Sequence, residues 1–352
     1  MRLMFIHHVL EDRGSAQDMF HYARVATALG HEVVLFGAPG APSAFNYTTD
    51  VSSIDAAIFI FEFTTELQFG NLLAWARLLS RIPRSRRVVI DCDGKYNDAS
   101  QITGDINHAN ADLSRQWVEI CDSISDTILQ PTYHPLRPNV KPFFFHGYDP
   151  SWEVPLNFDN KEFGMVYVGN NWFRWRGLRR VLDTVEPVLQ RVGRIAIVGN
   201  GWDRPAPWAK PVLPEDAYRT DPEYLMRLGI QVMPPIRFDE VIGWMSRGLF
   251  SPVIYRPLFD HLQLVTCRTF ETPAANTIPL LCQERQFVSD VYGVAGLELV
   301  LPQERPQDKI IDLFEQRKHY LEVVRELRHV LNQRYSYAAR ITELLEIVGG
   351  NG

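Results

Sequence analysis

Four arginines crowd the stretch MVYVGNNWFRWRGLRR at 165–180: Arg174, Arg176, Arg179 and Arg180. The apolar residues before them read as a strand ending at Gly169. A polar loop follows, and a helix starts near Arg176. Loop amides, a helix N-terminus and guanidinium groups together can hold a diphosphate. A solvated basic helix face accounts for one or both of Arg179 and Arg180. Arg174 and Arg176, placed at a strand's end, are the phosphate candidates.

Two further stretches pair with this one. IAIVGNGWD at 195–203 is a buried strand running into Gly199, Asn200 and Gly201, and glycines there permit a tight turn and close backbone approach to a ligand. Neither glycine loop has the G-x-G-x-x-G or P-loop spacing, which argues against a nicotinamide dehydrogenase or an ATPase. CRTFETPAANTIPLL at 267–281 places Glu271 near the start of a helix, with Arg268 three residues before it. A carboxylate there can accept two hydrogen bonds from a vicinal diol such as a ribose. The amides of Thr269 and Phe270 can face a phosphate at the helix N-terminus. A plain helix-dipole acid is the competing reading of Glu271, and position alone leaves the two even.

RVVIDCDGKYND at 87–98 runs a buried strand into Asp91, Cys92, Asp93 and Gly94. Three readings compete: a metal-binding D-x-D, a turn capped by its acids, or Asp93 as a general base or stabiliser of developing positive charge. His7 and His8 end the first strand, where a catalytic base is possible. Neighbouring strand residues point to opposite faces, so the two cannot both serve one site. His8 is taken as the candidate. Trp172, Trp175 and Trp202 lie by the glycine loops, where packing competes with stacking on a base or sugar.

The elements that must position these residues alternate. Strands are expected at 2–7, 31–37, 56–61, 87–90 and 127–129, with helices at 16–29, 67–80 and 113–120 between them. A Pro-rich connection follows, with Pro131, Pro135, Pro138 and Pro142. The alternation then restarts with strands at 164–169, 194–199, 229–233, 252–255, 278–281 and 297–301. Helices are expected at 176–191, 238–247, around Glu271, near 285–292, and through most of the chain beyond 307. Strand–helix alternation argues parallel sheets with right-handed crossovers. With 352 residues the chain suits two domains. Both are expected to be doubly wound, facing each other across a cleft, with ligands at the carboxyl ends of the strands.

Composition narrows the function classes. At 46% hydrophobic and 22% charged residues the chain is an ordinary globular protein. Its net charge of −6 argues against a nucleic-acid partner. No apolar run is long enough to span a bilayer. Cys92, Cys121, Cys267 and Cys282 form no C-x-x-C pair and fit a reducing cytoplasm.

VTCRTFETPAANTIPLL resembles the R-x-F-E-x-x-A-x-G-x-P-L-L signature of group 1 (family 4-like) glycosyltransferases, and is most similar to the CgeB-like branch. YVGNNWFRWRGL and VGNGWD are similar to that branch's basic glycine loop and its G-x-G-W-D turn. GSAQDMFHYARVATALGHEV resembles the loop, helix and strand that open many of these enzymes, and NQRYSYAARITELLEIV is similar to their last helix. The resemblance implies a GT-B fold: an acceptor-binding Rossmann-like domain at 1–150, a nucleotide-sugar-binding one at 151–333, and a helix at 334–352 that crosses back to the first. It implies a sugar transferred from a nucleotide-diphosphate donor such as a UDP-sugar to a hydroxyl of an unidentified small-molecule or glycan acceptor. No metal is strictly required and no cofactor is needed.

Carried over, Glu271 is the ribose carboxylate. Arg174 and Arg176 face the diphosphate, with Arg268, Thr269 and Phe270 beside it. Gly169, Gly199, Asn200 and Gly201 line the donor. Gly14 and Ser15 stand in the acceptor loop, and Asp93 lies where related enzymes often carry a His. The chain departs from the pattern at Gln263, where many members have a second glutamate, and at Asn276, the usual glycine. A nucleotide-sugar 2-epimerase or hydrolase, and a non-catalytic sugar- or nucleotide-binding protein, share the architecture. The expected location is cytoplasmic, and the oligomeric state stays open.

Overall fold

The computed structural model describes residues 1–6, 14–37, 45–60, 79–97, 111–205 and 218–350. His8 and most of the helix expected at 67–80 lie outside the described residues. The chain forms two compact units. Unit 1 holds Met1–Gly147, His261–Thr266 and Tyr335–Gly352, and unit 2 holds Tyr148–Asp260 and Cys267–Arg334. Assignment of the short segment at 261–266 to unit 1 is not visible in the sequence, where it reads as part of the second half.

Unit 1 contains β1 (Arg2–Ile6), α1 (Gly14–Ala28), β2 (Glu32–Phe36), β3 (Tyr47–Thr48), β4 (Ala56–Ile60), β5 (Arg87–Ile90), α2 (Ala111–Ile124), β6 (Thr127–Gln130) and β7 (Val140–Pro142). The strands form one parallel sheet in the order β3-β2-β1-β4-β5-β6-β7. β1, β4 and β5 lie inside the sheet, and their side chains are buried almost throughout, which is why they read as continuous apolar runs instead of alternating ones. Met4, Ile6, Ala57, Phe59, Val89 and Ile128 pack one face. β3 and β7 sit at the sheet edges with only two and three residues. Strands that short carry no period for a sequence pattern to detect.

Unit 2 contains β8 (Phe163–Val168), α3 (Trp175–Val185), α4 (Leu189–Val192), β9 (Ile195–Val198), α5 (Pro222–Arg227), β10 (Gln231–Met233), α6 (Val241–Met245), β11 (Gly248–Val253) and α7 (Pro257–His261), the last ending at the unit boundary. It continues with α8 (Cys267–Ala274), β12 (Ile278–Leu281), α9 (Arg285–Gly296), α10 (Pro306–Glu315) and α11 (Arg317–Tyr335), and α12 (Tyr337–Gly349) belongs to unit 1. The second sheet is also parallel, ordered β10-β9-β8-β11-β12. β8 leads outward to β9 on one side, and the chain returns to β11 on the other, so the strand order reverses between β8 and β11. Ligands of open parallel sheets bind at the carboxyl ends of the strands beside such a reversal.

Three expectations change. β11 starts four residues before Pro252, and the proline pairs with Leu280 inside the strand. Residues 297–301 make a short 3-10 turn with one bridge, Leu281 to Val300, in place of a strand. The helix expected at 176–191 breaks at Glu186–Val188, where Pro187 can offer no amide to the ladder. In unit 1, α12 packs on α1: Tyr337 stacks edge-on against Tyr22 with ring centroids 5.5 Å apart.

Candidate functional site

The loops after β8 and β9 are locked to each other. Asn170 Oδ1 accepts the Asn200 amide at 2.8 Å, and the Asn171 amide donates to Asn200 O at 2.8 Å. Asn171 is fully buried and donates through Nδ2 to Gly201 O at 2.9 Å and Arg219 O at 2.7 Å. Trp202, also fully buried, donates from Nε1 to Gly169 O at 2.9 Å. Trp202 is therefore a packing residue that closes the loop, not a stacking platform. Gly199 has to be glycine: its φ is +144°, and a Cβ would sit 2.3 Å from Gly169 O. The expected donor residues Gly169, Gly199, Asn200 and Gly201 thus share one rigid double loop at the carboxyl edge of β8 and β9.

Arg174 caps the start of α3 and donates to Asn170 O at 3.0 Å. Arg176, in the first turn of that helix, is exposed. Arg179 is committed elsewhere: it pairs with Asp183 at 2.7 Å and lies 3.5 Å from the Tyr224 ring centre. Of the four arginines, Arg174 and Arg176 are the two at the loop.

Glu271 is the fifth residue of α8 and only 4% exposed. That burial removes the reading of a solvated helix-dipole acid, because a buried charge needs a partner. The partner is Arg268, whose Nη1 stands 3.1 Å from Glu271 Oε2. Burial works against the Arg268 charge, but Glu271, with Cys267 and Tyr167, together outweigh it and hold the guanidinium above its ordinary value. That contact is an ion pair without well-directed hydrogen-bond geometry, so the carboxylate can accept further donors. Thr269 and Phe270 are fully buried, and Thr269 shares a hydrogen bond with the Tyr255 hydroxyl. They are the third and fourth residues of α8, in its first turn.

Tyr167, on β8, joins the two halves of the site. Burial raises its hydroxyl's pKa, while Arg174 and Arg268 both pull it down. The charges of one arginine from the β8 loop and one from α8 thus both act on this phenol. Sequence reasoning missed Tyr167, Asn170 and Asn171. The motif YVGNN contains all three, but side chains that brace a loop look like loop composition until the partners are known.

In unit 1 the turn after β5 separates its two acids. Asp91 is 2% exposed and accepts from the amides of Lys95 at 3.0 Å and Tyr96 at 2.8 Å and from Gln130 Nε2 at 2.8 Å. It caps the turn, so Asp91 and Asp93 do not act as a matched D-x-D. Asp93 is half-buried at the carboxyl edge of the sheet, 3.7 Å from Lys95 Nζ. Gly94 has φ +68°, and a Cβ there would come within 2.4 Å of Leu262 Cδ1, a residue of the short segment that joins unit 1. Gly14 and Ser15 open α1, at the same edge. Among the described residues no group of three His, Cys, Asp or Glu is placed to hold a metal ion, and no helix is long and apolar enough to cross a membrane.

No family model matches the chain, and no curated protein matches it, so membership of group 1 or of the CgeB-like branch is not shown. Solved structures do match over its whole length. T4 phage β-glucosyltransferase with its UDP-glucose substrate aligns with a TM-score of 0.59 at 12% identity, covering 99% of each chain. An α-glucosyltransferase in complex with UDP and a 13-mer DNA containing an HMU base aligns with a TM-score of 0.62 at 14% identity, covering 99% of this chain and 98% of that one. Another β-glucosyltransferase structure in the set is a DNA-modifying enzyme. The similarity lends no support to the exclusion of nucleic acid drawn from net charge. Two parallel sheets with this match make the fold α/β of the GT-B class.

Proposed function

We propose that this chain is a glycosyltransferase that moves a sugar from a nucleoside-diphosphate donor, a UDP-sugar, to an acceptor hydroxyl. The observation that carries the reading is the buried Arg268–Glu271 pair of α8, beside the strand-order reversal of unit 2. A ribose hydroxyl would donate to the Glu271 carboxylate, with which Arg268 is paired. Arg268, Arg174 and Arg176 then meet the charge that develops on the departing diphosphate, with the amides of Thr269 and Phe270 and the double loop at Gly169, Gly199, Asn200 and Gly201 beside them. Three guanidinium groups serve that purpose without a metal, so turnover is expected to survive EDTA.

Unit 1 carries the acceptor side of the proposal, with Gly14, Ser15, Asp93 and His8 as its candidates. The matched enzymes act on or bind DNA, so HMU-containing DNA is the first acceptor to assay, before glycans and small molecules. Calorimetry with UDP, GDP and dTDP tests the donor site. UDP is expected to bind, and Glu271→Gln to weaken it by about 1–3 kcal/mol. No binding at millimolar nucleotide ends the transferase reading. Binding with turnover of UDP-glucose only to free sugar and UDP favours the hydrolase alternative, and binding without turnover favours a non-catalytic protein.

A further inference from the structure

Tyr167 is the fifth of the six residues of β8, and it is buried. Its ring meets Trp202 edge-on, with centroids 5.7 Å apart, and Trp202 is itself tied to Gly169 O. The hydroxyl lies beside Gly169: a Cβ built on that glycine would stand 3.1 Å from Tyr167 Oη and 3.4 Å from Cζ. The phenol therefore leans toward the carboxyl end of its strand and brings its oxygen to the glycine that opens the double loop. Packing in β8 asks only for a ring, and a phenylalanine would supply it. The oxygen is the extra element, and the glycine leaves room for it. A buried tyrosine hydroxyl ordinarily has a hydrogen-bond partner. This one makes no hydrogen bond among the described residues. Burial keeps it protonated, so what it offers is a donor.

We propose that Tyr167 is a further phosphate-binding residue of unit 2, its hydroxyl donating to an oxygen of the nucleotide's diphosphate. The inference rests on the transferase reading. The partner of this hydroxyl has to be an acceptor. The charges of Arg174 and Arg268 both act on the same phenol, so an anionic acceptor there gains from all three groups. A sugar hydroxyl or a base carbonyl would gain chiefly from the phenol. The donor is also held before the ligand arrives, by the strand beneath it and by Trp202 against its ring. Long arginine side chains must be ordered on binding, and a phenol held this way need not be. Tyr167 thus fixes where a phosphate oxygen sits, and the arginines supply the charge. The two contributions differ in salt dependence, since screening weakens an exposed guanidinium such as that of Arg176 and leaves a buried neutral donor largely untouched.

The test is Tyr167→Phe, which removes one oxygen and keeps the ring against Trp202. Its urea midpoint should not fall below the parent's. In calorimetry UDP should bind the variant about 10–100-fold more weakly, the range of a hydrogen bond to a charged group. The factor should be the same at low and high salt, and uridine, read by competition with UDP, should lose less than about twofold. An unchanged UDP affinity overturns the proposal. An equal loss for uridine overturns it too, because the hydroxyl would then serve the nucleoside. A weaker UDP accompanied by a lower urea midpoint would make the oxygen a packing group and overturn it as well. In each of these cases UDP still binds the parent, and the transferase reading stands. Failure of UDP to bind the parent chain defeats that reading and the inference together, and the parent titration reports it before any variant is made.

Discussion

Arg328, on α11, offers the sharpest test of how α8 is held. Its guanidinium is buried at the carboxyl end of α8, where helix carbonyls lose their intrahelical donors. It donates to Pro273 O at 2.7 Å, Ala274 O at 2.9 Å and Ala275 O at 3.0 Å. It also reaches Val154 O at 3.0 Å and Glu153 Oε2 at 3.3 Å. A cation at this end also suits the helix dipole. Arg328→Met keeps an unbranched apolar stem and removes every donor. Val154 is half-buried and Glu153 is 31% exposed on its side chain, so water can replace what they lose. Ala274 O keeps the Val154 amide and Ala275 O keeps the Thr277 amide, each at 2.9 Å, so the loss falls on Pro273 O. One unmet buried carbonyl costs about 1–3 kcal/mol, and the variant should lose about that much. Arg328→Lys retains the charge and fewer donors, and should lose about half of that. The assay is urea unfolding, with hydrogen exchange at the α8 amides to localise the effect. Losing less than about 1 kcal/mol with α8 protection intact would refute the cap, since it would mean Pro273 O finds another donor.

Other outcomes follow from single residues. Lys161 is half-buried, donating to Ser246 O at 2.9 Å and to Asn276 O, and burial lowers its pKa to about 8. Its folded pKa lies below the unfolded value, so the unfolded chain binds more protons between about pH 8 and 10.5; stability should rise with pH across that window, and Lys161→Met should flatten the rise in urea melts. Gly199→Ala should separate the two donor loops and abolish UDP binding in calorimetry, because its Cβ falls 2.3 Å from Gly169 O. Arg176→Ala should weaken UDP by about 1–2 kcal/mol in a salt-dependent way. Arg179→Ala should leave UDP affinity unchanged, because its guanidinium is spent on Asp183 and Tyr224.

Much of the fold was legible because interior strands of parallel sheets are short apolar runs punctuated by glycine. FGMVYVG and IAIVGNG announce both the strand and the loop that follows. The loops could be read as sites for the same reason, since ligand residues of such sheets follow strand ends. What stayed hidden depends on partners distant in the chain. Nothing near Asp91 says that three donors saturate it, one of them Gln130. His146 pairs with Asp18 from 128 positions away, and Arg328 lies 55 positions from Pro273. A histidine after an apolar FFF run reads as the edge of a core until the acid beside it is known. Glu271 was ambiguous for the opposite reason: its position was right for a ligand and for a dipole acid alike, and only its burial separates the two.

The departure at Asn276 now has a physical account. A glycine is required where the backbone is left-handed or where another chain segment leaves no room for a Cβ. Asn276 is not among the residues with positive φ. Its side chain instead does structural work: Oδ1 accepts the Asn157 amide at 2.7 Å, while its own amide donates to Ser246 Oγ at 2.9 Å and its carbonyl accepts from Lys161 Nζ. The turn between α8 and β12 is pinned from three sides, and Arg328 holds the helix end just before it. Asn276 therefore braces the turn after α8 and makes no hydrogen bond to Arg268 or Glu271 among those described. Gln263 is a different matter. It has φ +52° and belongs to the segment at 261–266 that joins unit 1. A side chain in the left-handed region costs of order 1 kcal/mol and persists where surrounding packing imposes it, here by Leu262 and Leu264 closing on Gly94. The missing acid at 263 thus removes one carboxylate from the pattern without touching the support of Glu271, so the two departures carry different weight: one is a brace, the other a change in chemistry.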